Sequence, residues 1–200
     1  MRSAIVLVGG LAERAGGMEK YFFRYRGRTF IDTMIYTLSG ILDDIVLVAR
    51  DKEQCRRFSH IKGVRCVADI RRGIGPIGGL HAGVQYIRGD TVFVSACDMP
   101  LIKKEVILHL FSLIESYDAV VPCWDKDRLE PLHAVYRRDA LMRYLDQGGE
   151  PLSLRGMVQT LNTRFVGVNE IRTVDPELTS FININRLEEL EAIGGTQGSD

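Results

Sequence analysis

The sequence lacks the features that direct a chain to a membrane, to nucleic acid or to the secretory route. No apolar run approaches the length of a membrane span. Lys plus Arg number 26 and Asp plus Glu number 26, leaving a formal net charge of +0. No general field therefore draws the chain to nucleic acid or an anionic surface, and any anion site must be local. Cysteine is scarce. Cys55, Cys66, Cys97 and Cys123 form no CxxC pair and no Cys/His cluster, which argues against zinc and for small core residues in a reducing compartment. The chain opens directly on a strand-like run, Ala4-Ile5-Val6-Leu7-Val8, so no secretory leader is expected and the protein is expected in the cytoplasm. There is no internal repeat and no low-complexity linker. Residues 1–193 read as one domain, its N-terminal half binding nucleotide and its C-terminal half an acceptor. Residues 194–200, small and polar, read as a flexible tail.

What is present is an alternation of two periodicities. Ala4 to Val8, Ile45 to Ala49, Val64 to Val67 and Thr91 to Ala96 are continuous apolar runs, the mark of strands covered on both faces. Between them, Thr29 to Leu42 carries Phe30, Ile31, Met34, Ile35, Leu38, Ile41 and Leu42 at helical spacing. Leu80 to Ile87 and Glu105 to Ile114 also read as helices. Beyond Ala119 to Pro122, a further strand, the pattern predicts strands at Leu132–Tyr136, Arg164–Val168 and Phe181–Ile184. It predicts helices at Ala140–Gln147, Leu154–Leu161 and Arg186–Ile193. This order implies an α/β fold: a doubly wound, mostly parallel sheet with helices on both faces. Ligands of such folds bind beyond the strand C-termini, where strand order reverses. The loops after Val8, Ala49, Val67 and Ala96 are therefore the ones to inspect.

Three of those loops carry chemistry. After the first strand comes LVGGLAERAGGMEK, with glycine pairs at Gly9-Gly10 and Gly16-Gly17 and cations at Arg14 and Lys20. Glycine lets backbone amides turn to a ligand at close range, and amides with two cations suit a triphosphate. The run is neither a P-loop, since Met18 and Glu19 separate Gly17 from Lys20, nor a dinucleotide G-x-G-x-x-G. After the fourth strand comes Cys97-Asp98-Met99-Pro100. A carboxylate at a strand end, with Pro100 fixing the exit, can bind Mg²⁺ shared with substrate phosphates. After the third strand, Asp69 in a second glycine-rich loop can either accept from a base or ribose or cap a turn.

These residues carry a resemblance. LVGGLAERAGGMEK resembles the LAGGxxxRMGxxK signature of the molybdenum cofactor guanylyltransferases, the MobA family, and the likeness continues through VADIRRGIGPIGGLHAG, CDMPLI, EPLHAVYRR and FININ. The resemblance implies a Rossmann-like nucleotidyltransferase fold and transfer of GMP from GTP to the terminal phosphate of molybdenum-molybdopterin, with Mg²⁺ or Mn²⁺ as the metal. By matching position it implies guanine contacts at Leu7, Val8 and Gly9, with Gly10 in the same turn. Lys20 falls at the phosphates, Asp69 in the nucleotide pocket, Asp98 on the metal, and Asn183 and Asn185 near the reacting centre or acceptor. Ala15 replaces the usual Met, and Val48 a commonly polar residue.

A phosphate acceptor with a second pKa near about 6 is already dianionic at neutral pH, so no general base is required. The task is electrostatic, and Asp98 with Mg²⁺, Lys20 and Arg14 would carry it. His81 and His133 read as packed or hydrogen-bonded. Candidates for the acceptor side are His133, Tyr136, Arg155, Asn183 and Asn185. Arg155 stands at a helix start, either meeting a phosphate or simply solvated. Proteins that deliver the cofactor are conceivable partners. Rival readings are guanylyl transfer to cobinamide phosphate, cytidylyl transfer to molybdopterin or a sugar or polyol phosphate, a non-catalytic GTP-binding protein, and a purely structural domain. Gly9-Gly10 favours the guanylyl branch, since related cytidylyl enzymes usually carry Ala at the first of these positions.

Overall fold

The computed structural model of the chain describes residues 1–9, 21, 23–69, 71, 74–147, 152–184, 189, 191 and 195–196. Seven strands form the main sheet: β1 (Arg2–Leu7), β4 (Asp44–Ala49), β5 (Val64–Ala68), β6 (Thr91–Ala96), β7 (Ala119–Cys123), β8 (His133–Arg137) and β9 (Thr163–Gly167), in the order β5-β4-β1-β6-β8-β7-β9. β1 pairs parallel with β4 and β6, β4 with β5, and β7 with β9. Only β8 runs against its neighbours in this sheet, between β6 and β7. The chain winds outward from β1 through β4 to β5, then returns to the other side of β1 as β6. That reversal is the switch point at which α/β folds form ligand crevices.

The alternation of side chains along β1 separates the two cores. Ala4 and Val6 pack on one face with Ile31, Met34 and Leu38 of α1 (Phe30–Ser39) and Val106, Ile107 and Leu110 of α4 (Lys104–Ser112). Ile5 and Leu7 pack on the other with Leu80 and Val84 of α3 (Pro76–Val84), Leu141 and Leu145 of α5 (Arg138–Leu145), and Met157 of α6 (Leu154–Thr160). A strand sandwiched between helices must be apolar on both sides, which is why these runs show no polar alternation. The expected doubly wound sheet is therefore present.

The departures from expectation are local. α1 begins one residue after Thr29, whose side chain caps it by accepting from the Asp32 amide at 3.1 Å. α3 starts at Pro76, four residues before the apolar pattern suggests, because Pro at the first helical position is pre-set for the helix. A six-residue helix, α2 (Lys52–Arg57), escaped the periodicity: it is too short and polar, and Asp51 caps it by accepting from Gln54. So did the hairpin β2 (Arg24–Tyr25) and β3 (Arg28–Thr29), whose turn residues Arg26 and Gly27 both have positive φ, at 50° and 79°. The short helix α7 (Val168–Ile171) also went unread. The strand expected at Phe181–Ile184 is not formed: Thr179–Phe181 make a 3-10 turn and the next residues run irregularly. Phe181 and Ile184 are buried as plugs, not as a ladder, and Ile182 is exposed. Gly195–Thr196, within the segment read as a tail, form β10 and pair antiparallel with β2. The closing helix expected at Arg186–Ile193 lies mostly outside the described residues.

Candidate functional site

The C-terminal ends of β1, β4, β5 and β6 meet along one edge, tied by backbone hydrogen bonds. The Val8 and Gly9 amides both donate to the Val48 carbonyl, at 2.9 and 3.1 Å. The Asp69 amide donates to Ala49 at 2.7 Å, and the Cys97 amide to Leu7 at 3.1 Å. A small cleft opens here between Leu7, Gly9, Ala49, Asp69 and the first turn of α3 at Gly75 and Pro76.

Gly9 is required by packing. A Cβ there would stand 2.7 Å from the Arg50 backbone nitrogen and 3.0 Å from the Ala49 carbonyl carbon. This revises the expected use of the glycine turn. The amides of Val8 and Gly9 are spent on Val48, so neither is left to turn toward a ligand. Val48 anchors that turn through its carbonyl oxygen.

α3 is drawn over the strand ends by small residues. Leu7 Cδ2 lies 3.2 Å from where a Gly79 Cβ would be, and Ile5 and Val48 methyls each lie 2.9 Å from a Gly83 Cβ. The positive end of the helix dipole therefore borders the cleft. Gly75, at φ +72°, turns the chain into that helix. Asp69 lines the cleft and also caps a turn, its Oδ1 accepting from the Arg71 amide at 2.8 Å. The two readings open for this residue thus coexist.

Asp98 sits half-buried just past β6. The chain turns there through Met99, whose amide donates to Ala96. The Asp98 carbonyl accepts from the Ile184 amide at 2.8 Å, so the late FIN segment is laid beside the CDMP turn and exposed Asn183 is adjacent to it. A second carboxylate stands nearby. Burial raises the Glu130 pKa, and the Asp98 charge pushes the same way, against the lowering influence of Trp124 and Arg128. Trp124 Nε1 donates to Glu130 Oε1 at 2.8 Å. Glu130 had no role in the sequence reading. Its signal is the EPLHAVYRR run, which places an acid just before a buried strand end. Two carboxylates close enough to feel each other's charge are a pair of hard oxygen donors, the chemistry a divalent cation takes.

The remaining candidates divide by burial. Two residues considered for the acceptor side belong to the core instead. His133 is fully buried, with its ring 5.1 Å from Phe93 and 4.8 Å from Phe181. Neither ring nitrogen has a hydrogen-bond partner among the described residues, and burial pulls its pKa down to about 3. Tyr136 is equally buried and donates its hydroxyl to Pro131 at 2.8 Å. His81 is hydrogen-bonded to Asp146 at 3.0 Å. Arg155, exposed in the first turn of α6, bonds the Asp127 carboxylate at 2.8 Å and the Asp127 carbonyl at 3.2 Å, so it is linked to the turn that carries Trp124 and Arg128. Gly10, Arg14, Lys20 and Asn185 lie outside the described residues.

The chain is similar to proteins with a consistent description. A probable molybdenum cofactor guanylyltransferase from Methanosarcina acetivorans is 35% identical over 204 residues, covering 98% of this chain and 91% of the relative. A molybdenum cofactor guanylyltransferase from Desulfosudis oleivorans is 35% identical, covering 94% and 92%. The crystal structure of molybdopterin-guanine dinucleotide biosynthesis protein A from Archaeoglobus fulgidus superposes with a TM-score of 0.78 at 33% identity, covering 96% of both chains. The family model described as MobA-like NTP transferase domain matches residues 4–163, and with the CDMP turn and the glycine-enforced cleft standing at one sheet edge, the chain belongs to the MobA-like NTP transferase family.

Proposed function

We propose that this chain transfers GMP from GTP to the terminal phosphate of molybdenum-molybdopterin, releasing pyrophosphate. The observation that carries the reading is the Ile184–Asp98 hydrogen bond of 2.8 Å. It joins the late asparagine segment to the CDMP turn, while the Cys97–Leu7 bond holds that turn against the nucleotide cleft. The names of the relatives support the same chemistry.

Leu7, Val8 and Gly9 form the floor for the base, and the rim of α3 with Asp69 the wall. Lys20 and Arg14 supply the cations for the triphosphate. Asp98, with Glu130 behind it, is the group that would hold Mg²⁺. Bound there, the metal supplies charge neutralisation between nucleotide phosphates and acceptor. An acceptor phosphate oxygen forms the new bond to the α-phosphorus, and the bond to the β-phosphate oxygen breaks. Lys20 and Arg14 stabilise the charge that collects on the departing pyrophosphate. No protein base takes a proton, because the acceptor is largely ionised at neutral pH. This suits a chain whose best-placed histidine, His133, is sealed in the core. Asn183 and Asn185 orient the acceptor. Residues 1–193 act as one domain, and the reaction runs in the cytoplasm, with delivery of the labile acceptor by a partner protein. No helix among the described residues is long and apolar enough to cross a membrane.

Pyrophosphate release from GTP, ATP, CTP and UTP against molybdenum-molybdopterin and a few other phosphorylated acceptors tests the reading. Release with GTP and the molybdopterin acceptor is expected. Release with CTP alone, or with cobinamide phosphate alone, would replace it with the corresponding rival. Tight GTP binding without release for any acceptor would make the chain a nucleotide-binding protein instead.

A further inference from the structure

Two of the four cysteines meet in space. Cys55 lies on α2 and Cys66 on β5. The Cys66 thiol donates to the Cys55 sulfur, and the two sulfurs are 2.9 Å apart. A disulfide needs about 2.05 Å, so closure asks for a movement of less than about 1 Å, within reach of side-chain rotation. Both residues are half-buried thiols, which leaves them open to a small oxidant. β5 is the outermost strand of the sheet, and α2 packs beside it with Cys55 and Cys66 both set against the same core. The sequence reading of all four cysteines as inert core residues did not anticipate this pair, because its members come from a helix and a strand.

We propose that Cys55 and Cys66 form an oxidation site, a dithiol that a peroxide converts reversibly to a disulfide strapping α2 to the edge strand β5. The Cys66 hydrogen is directed at the Cys55 sulfur. Burial, with the neighbouring Cys55, keeps the Cys66 thiol protonated, so Cys55 is the first sulfur to react. The Cys55 thiolate attacks a peroxide oxygen and the O–O bond breaks. The released hydroxide takes a proton and leaves as water, and Cys55 becomes a sulfenic acid. The Cys66 sulfur, surrendering its proton, then attacks the Cys55 sulfur. The S–O bond breaks and a second water leaves. Two thiols are oxidised as one hydrogen peroxide is reduced to two waters, and a thiol reductant reverses the change by exchange.

The strap joins two elements that neighbour the cleft. β5 leads directly to Asp69, whose amide is bonded to Ala49, and Asp51, the cap of α2, is next to the Arg50 backbone that Gly9 abuts. Neither sulfur takes part in the proposed transfer chemistry, so the site is separable from it.

The test treats the folded full-length chain with stoichiometric hydrogen peroxide and follows intact mass and disulfide-mapped peptides. The expected product has lost two hydrogens, carries a Cys55–Cys66 bridge, keeps Cys97 and Cys123 alkylatable, and returns to the starting mass with dithiothreitol. The bridge should form at least about tenfold faster in the folded chain than in the same chain in urea, because the fold holds the sulfurs together. The Cys97→Ser/Cys123→Ser double variant should form the same bridge. Cys66→Ser should leave Cys55 as a sulfenic acid trapped by dimedone, and Cys55→Ser should give no dimedone adduct at Cys66. Equal rates in folded and unfolded chain, a bridge to Cys97 or Cys123, or oxidation to sulfinic acid without a bridge would each overturn the proposal.

Discussion

The two sides of the cleft are built from different materials. On the nucleotide side, small residues and main chain determine the shape. Gly9 lets β1 close on Arg50, and Gly79 and Gly83 let α3 descend onto Leu7, Ile5 and Val48. Beyond the CDMP turn, on the side proposed for the acceptor, large side chains do so. Trp124 packs edge-on to Phe181, Phe181 meets the buried His133 ring, and Trp124 ties down Glu130 beside Asp98. The difference teaches where each side can vary. A wall made of backbone tolerates no added atom but little depends on its side-chain chemistry. A wall made of aromatic and ionisable groups can be recut one residue at a time.

The largest expected effect falls where the two sides join. Asp98→Asn should lower GTP-dependent pyrophosphate release by about a hundredfold or more, with metal-free GTP binding by calorimetry little changed. Near-normal turnover would separate the CDMP turn from the chemistry altogether. Next, Gly9→Ala should destabilise the fold by about 1–3 kcal/mol in urea unfolding, since the new methyl meets backbone that cannot rotate away. A neutral result would mean the nucleotide side is less tightly built than its contacts imply.

The core behind the aromatic wall has a pH signature of its own. His133 is neutral in the fold, with a pKa near 3 against an ordinary 6.5. Between those values the unfolded chain binds a proton that the folded chain refuses. Stability therefore falls as pH drops below about 6.5, by up to about 1.4 kcal/mol per pH unit. His133→Phe should remove that part of the acid slope and be neutral or stabilising at pH 7, because it deletes two unpartnered buried nitrogens. An unchanged slope between pH 6 and 4 in matched urea titrations would sink this assignment. The smallest effect is expected from Glu130→Gln. It retains an acceptor for Trp124 but removes the charge beside Asp98, and should raise the Mg²⁺ concentration needed for half-maximal activity by about threefold. An unaltered metal dependence would make Glu130 a purely structural anchor for the indole.

Much of this was legible beforehand, and unevenly. The strand at Thr91–Ala96 was read to the residue, because a strand between two helical layers must be apolar throughout. Asp98, the carboxylate proposed for the metal, and the glycine turn at Gly9 stood out for a related reason: each breaks an apolar run at a strand end on the edge where such folds bind ligands. Glu130, α2 and the hairpin at Arg24–Thr29 did not stand out. Their segments are short and polar, and their meaning comes from what they touch. His133 and Tyr136 were placed in a promising strand, but that both of its faces are sealed in core could not be read from the strand alone.

The amino-acid order by itself determined the layers of this protein, the direction of its sheet and the edge where ligands are met, because hydrophobic periodicity and glycine or proline punctuation act over a few residues. Only the tertiary structure decided the partnerships: Ile184 with Asp98, Val48 with the amides of Val8 and Gly9, Trp124 and Asp98 about Glu130, Cys66 with Cys55. Most of those contacts join residues far apart in the chain, and none follows from local pattern. They depend on sheet register and helix descent, which are settled by the whole core at once.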